Sequence, residues 1–294
     1  MTFYIYVRSG LNNKLVPLLS LLRLAKKENR KIKCYWGEDA YIKKTLFCFS
    51  DLFDDIGDIE FIDYTEYMTI FNSKNKIIYN KDGSDRNRKE IIYRPNENND
   101  VIIFHKIVHL ISYADDNVIG SYVPYPRETK ETTPFIKEMR DIIKELKPVN
   151  EIQSKINNVI REFEDNNIVG LHIRTTDGGF TDIPSKDVFG FIHNLLETNK
   201  NAKIYISCDS MSLENEIKNK FSDKILYFSK PFGDNYSDKF NRTSWGTMNA
   251  VCEMYILSKC SKFYGTPGSS LSFMVWLLRN DNSLDFWCEN PWTS

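Results

Sequence analysis

The stretch Val169-Gly170-Leu171-His172-Ile173-Arg174-Thr175-Thr176-Asp177-Gly178-Gly179-Phe180 begins as an apolar run and ends in a group of polar side chains. Ile168 to Ile173 has the length and composition of a buried strand. It delivers His172, Arg174 and Asp177 to the strand's C-terminal end, the edge at which open α/β sheets bind ligands. His172 and Arg174 are two apart, so alternation along a strand expects them on one face. Arginine holds five donors in a fixed fork that matches a phosphate bidentately. The structural alternative is that Arg174 and Asp177 pair simply to close the strand end.

Working outward, the second half of the chain alternates strand and helix patterns. Further strands are expected at Lys203 to Ser207, Ile225 to Phe228 and Lys262 to Tyr264, and helices at about 186 to 199, 212 to 221, 246 to 259 and 269 to 279. The first half begins the same way. A β-rich run at residues 3 to 7 meets the turn Arg8-Ser9-Gly10, and Leu15, Leu18, Leu19, Leu22 and Ala25 follow at helical spacing. Lys31 to Trp36 and Ile59 to Ile62 continue the pattern of a parallel sheet. Asn72 to Asp100 is rich in Asn, Lys and Asp and interrupted by Gly83 and Pro95, which predicts a long surface excursion. Val101 to Leu110 is apolar and β-prone, and the prolines of Tyr122 to Arg127 extend the chain there. Thr132 to Glu164 predicts two helices separated at Pro148. The sequence predicts an α/β protein of two Rossmann-like domains, 1–150 and 151–294, facing a central cleft, in line with a length of 294 residues at roughly 150 per domain.

Composition narrows the function classes. The 39 Lys and Arg balance 40 Asp and Glu, so no overall field draws the chain toward nucleic acid or anionic lipid, and any phosphate must meet a local site. The apolar runs fall well short of the roughly 20 residues of a bilayer crossing. Met1 to Arg8 reads as a strand rather than a signal peptide, which leaves the cytoplasm, or the periphery of a membrane, as the expected location. Cysteines at 34, 48, 208, 252, 260 and 288 form no CxxC pair and read as reduced, buried thiols. Two glycosylation tripeptides, at Asn235 and Asn241, carry no weight in such a chain. No strand is followed by GxGxxG, which disfavours a dinucleotide-dependent redox enzyme. No Asp-x-Asp pair occurs, so no metal site is expected.

Gly170-Leu171-His172-Ile173-Arg174-Thr175-Thr176-Asp177 resembles the HxRxxD-type first motif of the fucosyltransferase superfamily that holds the α1,6-, α1,2-, protein O- and nodulation fucosyltransferases. Ile204 to Ser212 is similar to its second motif, a strand ending in a small residue and Asp, here Asp209. Ile256 to Ser272 resembles the third, a helix, a strand and a Ser-rich turn leading into a last helix. Ser9-Gly10-Leu11-Asn12-Asn13-Lys14 is similar to its Gly-rich first turn. The chain departs from the α1,6 and nodulation branches at Thr175, where they carry a second Arg, and at Ser210, where they carry a second acid. Its first turn reads Gly-Leu-Asn-Asn rather than Gly-Leu-Gly-Asn, so Asn13 alone carries over there.

This resemblance implies the GT-B fold and inverting, metal-independent transfer, usually of fucose from GDP-fucose, to a glycan acceptor. Arg174 would meet the β-phosphate, and His172 and Glu253 the guanine ring, whose paired N–H groups suit a carboxylate. Asp209 belongs to the same nucleotide-sugar site. Asp182 would be the catalytic base, and Asn13 would lie on the acceptor side. Independently of family, Gly265-Thr266-Pro267-Gly268-Ser269-Ser270 joins a strand to a helix, where Gly268, Ser269 and Ser270 could cradle a phosphate. The plain alternatives are an ordinary turn capped by Ser269 or Ser270 and, for Glu253, a charge on a helix surface. Tyr35, Trp36 and Trp245 could stack on sugars, although an aromatic core accounts for most rings in such a sequence. Two other functions fit the same residues: a transferase of the same fold using another nucleotide sugar, and a nucleotide- or glycan-binding protein without transfer.

Overall fold

The computed structural model describes residues 2–37, 48–74, 76–80, 90–93, 101–107, 110–113, 134–163, 167–175, 185–229, 244–279, 281 and 284–288. The chain divides into two units, Met1–Val149 and Asn150–Ser294. Asp177, Asp182 and the segment Tyr122 to Arg127 lie outside the described residues.

In the first unit, β1 (Thr2–Val7) places Phe3, Ile5 and Val7 on one face and Tyr4 and Tyr6 on the other, and all five are buried. After it come α1 (Leu11–Glu28), β2 (Lys31–Trp36), β3 (Ile59–Phe61), α2 (Tyr64–Phe71), β4 (Lys76–Asn80), β5 (Glu90–Tyr93), β6 (Val101–Ile107), β7 (Leu110–Tyr113) and α3 (Pro134–Ile143). Five strands pair in parallel in the order β3-β2-β1-β6-β4, and β5 pairs with β7 in a separate parallel ribbon. A parallel sheet is covered on both faces, which explains why the central β1 is buried from Phe3 to Val7, while β2 and β3 towards one edge bury fewer residues.

From Leu11 to Ala25, α1 buries every residue except Asn13. A helix buried all round must be covered all round. Its covers are β1, β2, β7 and α3. The polar groups it takes inside are met individually. Arg23 donates from Nη1 to Glu138 at 2.9 Å and lies 4.5 Å over the Phe135 ring. Ser20 donates to the Pro17 carbonyl and accepts from the Ile111 amide at 3.0 Å. The helix ends at Asn29, whose φ of 50° is the left-handed cap that Asn tolerates. On the opposite face of the sheet, Tyr4, Tyr6, Ile103 and Tyr67 form a second cluster, and Tyr67 OH lies 2.8 Å from His105 Nδ1.

The polar stretch from Asn72 to Asp100 is not a plain surface excursion. Ile77-Ile78-Tyr79 makes β4 an edge strand of the main sheet, and Tyr93 of β5 is fully buried, with its hydroxyl 3.0 Å from Glu28. The β-formers there were masked by the Asn, Lys and Asp around them, a composition an edge strand with one partner tolerates. Val101 to Leu110 likewise is not one run, because β6 ends at Ile107 and β7 begins at Leu110.

The second unit holds α4 (Asn150–Ile160), β8 (Ile168–Ile173), α5 (Ser185–Thr198), β9 (Lys203–Cys208), α6 (Met211–Phe221), β10 (Ile225–Tyr227), α7 (Ser244–Lys259), β11 (Lys262–Gly265), α8 (Ser270–Arg279) and β12 (Asp285–Phe286). Its sheet is again all parallel, in the order β10-β9-β8-β11-β12. Leu171, Ile173, Ile204 and Ile206 pack with Val188, Ile192, Leu213 and Ile217 of α5 and α6. On the other face α7 comes so close that a Cβ on Gly170 would stand 3.0 Å from both Cys260 Sγ and Leu257 Cδ2. Among the described residues no helix is long and apolar enough to cross a membrane.

All six cysteines are unbridged thiols, but they are not all buried. Cys34, Cys208, Cys252 and Cys260 are inside, Cys288 is half-buried and Cys48 is exposed, since it precedes a short helical turn rather than lying on a core face. Burial pushes the Cys252 and Cys260 thiols up to about 12. In the native protein at pH 8, a thiol-alkylating reagent should modify Cys48 rapidly and leave Cys252 and Cys260 intact until denaturant is added, as read by peptide mass mapping.

Gly37 marks a second tight approach: its amide donates to the Val7 carbonyl at 2.9 Å, and a Cβ there would fall 2.2 Å from the Tyr6 ring. Gly37→Ala should therefore cost about 1–3 kcal/mol of stability by overpacking, measured as a lowered denaturant midpoint.

Candidate functional site

In the second unit the C-terminal ends of β9, β8 and β11 lie side by side and carry Asp209, Arg174 and Thr266. Ile173 stands opposite Cys208, so the chain leaves both strands at the same level. The strand ends at Ile173, which puts Arg174 one residue beyond it, half-buried. Asp209 Oδ1 accepts from the Thr175 amide at 2.9 Å and the Thr175 hydroxyl at 3.3 Å. Two donors on one carboxylate oxygen tether the chain that follows Arg174 to the end of β9.

On the other side, the Thr266 hydroxyl is saturated. It donates to the His172 carbonyl at 2.7 Å and accepts from the Arg174 amide at 3.1 Å and Trp287 Nε1 at 3.0 Å. Trp287 Nε1 also reaches the His172 carbonyl at 2.9 Å. Arg174 is thus held through its backbone at the junction of three chain segments, and its guanidinium starts from a fixed root.

His172 is buried, with Nδ1 2.8 Å from Ser272 Oγ on α8. Glu253, on α7, is 7% exposed and is not a helix-surface charge. Burial is the main cause that pushes the Cys252 thiol and the Tyr205 phenol up, and the negative charge of Glu253 adds to both. A sequence pattern could not place it inside, because α7 is apolar around most of its circumference and Glu253 interrupts that without a period.

The turn from Gly265 to Ser270 leads directly into α8. Gly268 has φ of 75°, a conformation that favours glycine, and Ser269 is fully buried, its amide 3.3 Å from the Thr266 carbonyl. No acidic residue occupies the first turn of α8, so the partial positive charge of its amides is not offset there. Asn13 belongs to the first unit, with Nδ2 3.4 Å from Ser9 Oγ, and Ser9 itself has φ of 83°. Trp36 is a core ring that meets Phe49 edge-on, not a surface for sugars, because the β2 alternation turns it inward. Among the described residues no group of three or more His, Cys, Asp or Glu side chains is arranged to hold a metal ion.

The structure therefore brings His172, Arg174, Asp209 and the Gly268 to Ser270 turn to one sheet edge. It also reveals Thr266, Ser272 and Trp287, which sequence reading did not single out. Thr266 and Ser272 lay within the segment already read as a turn and helix. Trp287 carried no signal, since its partners are 115 and 21 residues away. Such a site offers a guanidinium, the N-terminal end of α8 and a buried imidazole within one edge, a set suited to an anionic ligand with a polar ring attached.

No protein-family profile and no curated protein matches the chain. Solved structures do. The fold is that of GT-B fucosyltransferase structures: two parallel five-stranded α/β units. A NodZ α-1,6-fucosyltransferase soaked with GDP-fucose is 17% identical over 94% of this chain and 92% of that one, with a TM-score of 0.62. A variant of FUT1 from Arabidopsis thaliana, in complex with GDP, is 12% identical over 94% of this chain and 68% of that one, with a TM-score of 0.53. POFUT1 in complex with GDP is 12% identical over 96% of each chain, with a TM-score of 0.50. At these identities the likeness is one of fold.

Thr266→Val keeps the shape of the side chain but strands the Arg174 amide. It should cost about 1–3 kcal/mol of stability in chemical denaturation, and Thr266→Ser should recover most of it.

Proposed function

We propose that this chain is an inverting glycosyltransferase that takes fucose from GDP-fucose. The observation that carries this reading is the fold it shares, over 94% of its length, with a fucosyltransferase soaked with GDP-fucose, joined to a sheet edge bearing His172, Arg174 and Asp209. The acceptor is proposed to be a glycan, met by the first unit through Asn13.

The chemistry follows from charge. As the sugar–phosphate bond breaks, negative charge grows on the departing diphosphate. Arg174 and the amides at the start of α8, with Gly268, Ser269 and Ser270, meet that charge in place of a metal ion. Because the Arg174 backbone is already held by Thr266, little reorganisation is needed when the charge appears. Asp209 keeps the chain after Arg174 in place through Thr175. Glu253 accepts from the paired N–H groups of guanine, and His172 meets the same ring. Inversion requires a base for the acceptor hydroxyl, and Asp182 is proposed for it by its place in the resemblance.

A second reading is a GDP-binding protein without transfer, and Thr175, standing where the resembling enzymes carry a second Arg, favours it. One set of measurements separates the two. GDP and GDP-fucose should raise the melting temperature, whereas UDP, ADP and CMP should not; saturation at a hundred times Kd adds about 2.7 kcal/mol. Arg174→Ala should lower the release of fucose from GDP-fucose by about 100- to 1,000-fold while the protein stays folded. A preference for UDP would overturn the donor, and binding of GDP with no turnover under any acceptor would establish the second reading.

A further inference from the structure

Ser272 is fully buried, and its hydrogen bonds can be counted. Its Oγ receives the Thr266 amide at 3.0 Å and lies 2.8 Å from His172 Nδ1. An amide nitrogen only donates, so it cannot take the hydroxyl proton. Among the described residues, Nδ1 is then the acceptor bonded to that hydroxyl. If Nδ1 carried its own hydrogen, both neighbours of the hydroxyl would be donors, and a buried O–H would be left unpaired. The arrangement is held from behind as well. A Cβ on Gly265 would stand 2.8 Å from both Cβ and Oγ of Ser272, so the bare backbone of β11 is what lets Ser272 reach this position.

We infer that Ser272 is a positioning residue that holds His172 neutral, with Nδ1 accepting and the proton on Nε2, so that the imidazole presents a donor to the base of the nucleotide. This rests on the reading that His172 faces guanine. An Nε2–H donor pairs with the acceptors of guanine's O6 and N7 edge and opposes the exocyclic amino group that adenine presents beside N7. Base selection would then come from two sides, Glu253 accepting from guanine's N–H groups and His172 donating to its carbonyl edge. The specificity of the imidazole is set by a serine that does not touch the ligand. The direction of the Thr266 amide toward Ser272 sets it one step further back.

The test begins with the ligand-free full chain, selectively labelled with 15N-histidine, and the four histidines assigned by single substitution. His172 should show Nδ1 in the pyridine-like range of 15N shift and Nε2 in the pyrrole-like range. A pyrrole-like Nδ1 would overturn the inference without reference to any nucleotide. In Ser272→Ala the two nitrogens should move toward the averaged shifts of a tautomer mixture, and GDP should bind about tenfold more weakly, with its preference over ADP reduced. Ser272→Thr, which retains the hydroxyl, should restore both readouts. An altered tautomer with unchanged GDP affinity would overturn the role in base recognition. If the wild-type protein shows the expected tautomer but binds no nucleotide, the proposed function fails while the Ser272–His172 arrangement stands.

Discussion

The Thr266 hydroxyl is the point on which the second unit's polar edge depends. A hydroxyl has one proton and two acceptor positions, and all three are used: toward the His172 carbonyl, the Arg174 amide and the Trp287 indole. The partners come from the end of β8 and from Trp287, so with Thr266 itself the bonds position three segments relative to one another rather than closing a single turn. In a buried setting such bonds are electrostatically stronger than in water, and leaving any of them unmade is correspondingly costly. The side chain of Arg174 departs from a backbone held by that hydroxyl.

Asp209 performs the matching task on the other flank. Where the resembling enzymes place a second arginine, this chain has Thr175, and its amide and hydroxyl both go to one oxygen of Asp209. The carboxylate holds the strand end through the neutral donors of Thr175. Ser210 plays a local part in the same region, with its hydroxyl accepting from the Leu213 amide at the start of α6. Thr175 and Ser210 thus each serve a local hydrogen bond at the end of β9 and the start of α6.

Much of the fold was legible because parallel sheets write themselves plainly. Phe3 to Val7, Ile168 to Leu171 and Ile204 to Ile206 are buried on both faces and read as uninterrupted apolar runs. The helix from Leu11 was equally clear, since its apolar positions recur at every turn. What escaped was structure whose driving force lies elsewhere in the chain. The strand at Lys76–Asn80 is half exposed and polar at its ends, so only its pairing with Val101–Ile107 reveals it. Tyr93 looks like a loop residue until its burial against Phe3 and Phe104 is seen. In the site, His172, Arg174 and Asp209 could be named because strand ends are where sheets carry function. The residues that hold them, Thr266, Ser272 and Trp287, form no pattern in one dimension, because their partners are fixed by topology rather than by spacing.

The indole of Trp287 adds an element of time. It closes onto the carbonyl of His172, made 115 residues earlier. At a synthesis rate of about 5–20 residues per second, roughly 6–23 seconds separate the two on the ribosome. Throughout that interval the end of β8 lacks its indole cover, and β11, the strand that flanks it on one side, is made only towards its end. The polar edge of this unit is thus complete only once Trp287 has joined His172 and Thr266. This cover is added after all five strands of the sheet have been made, rather than built up strand by strand.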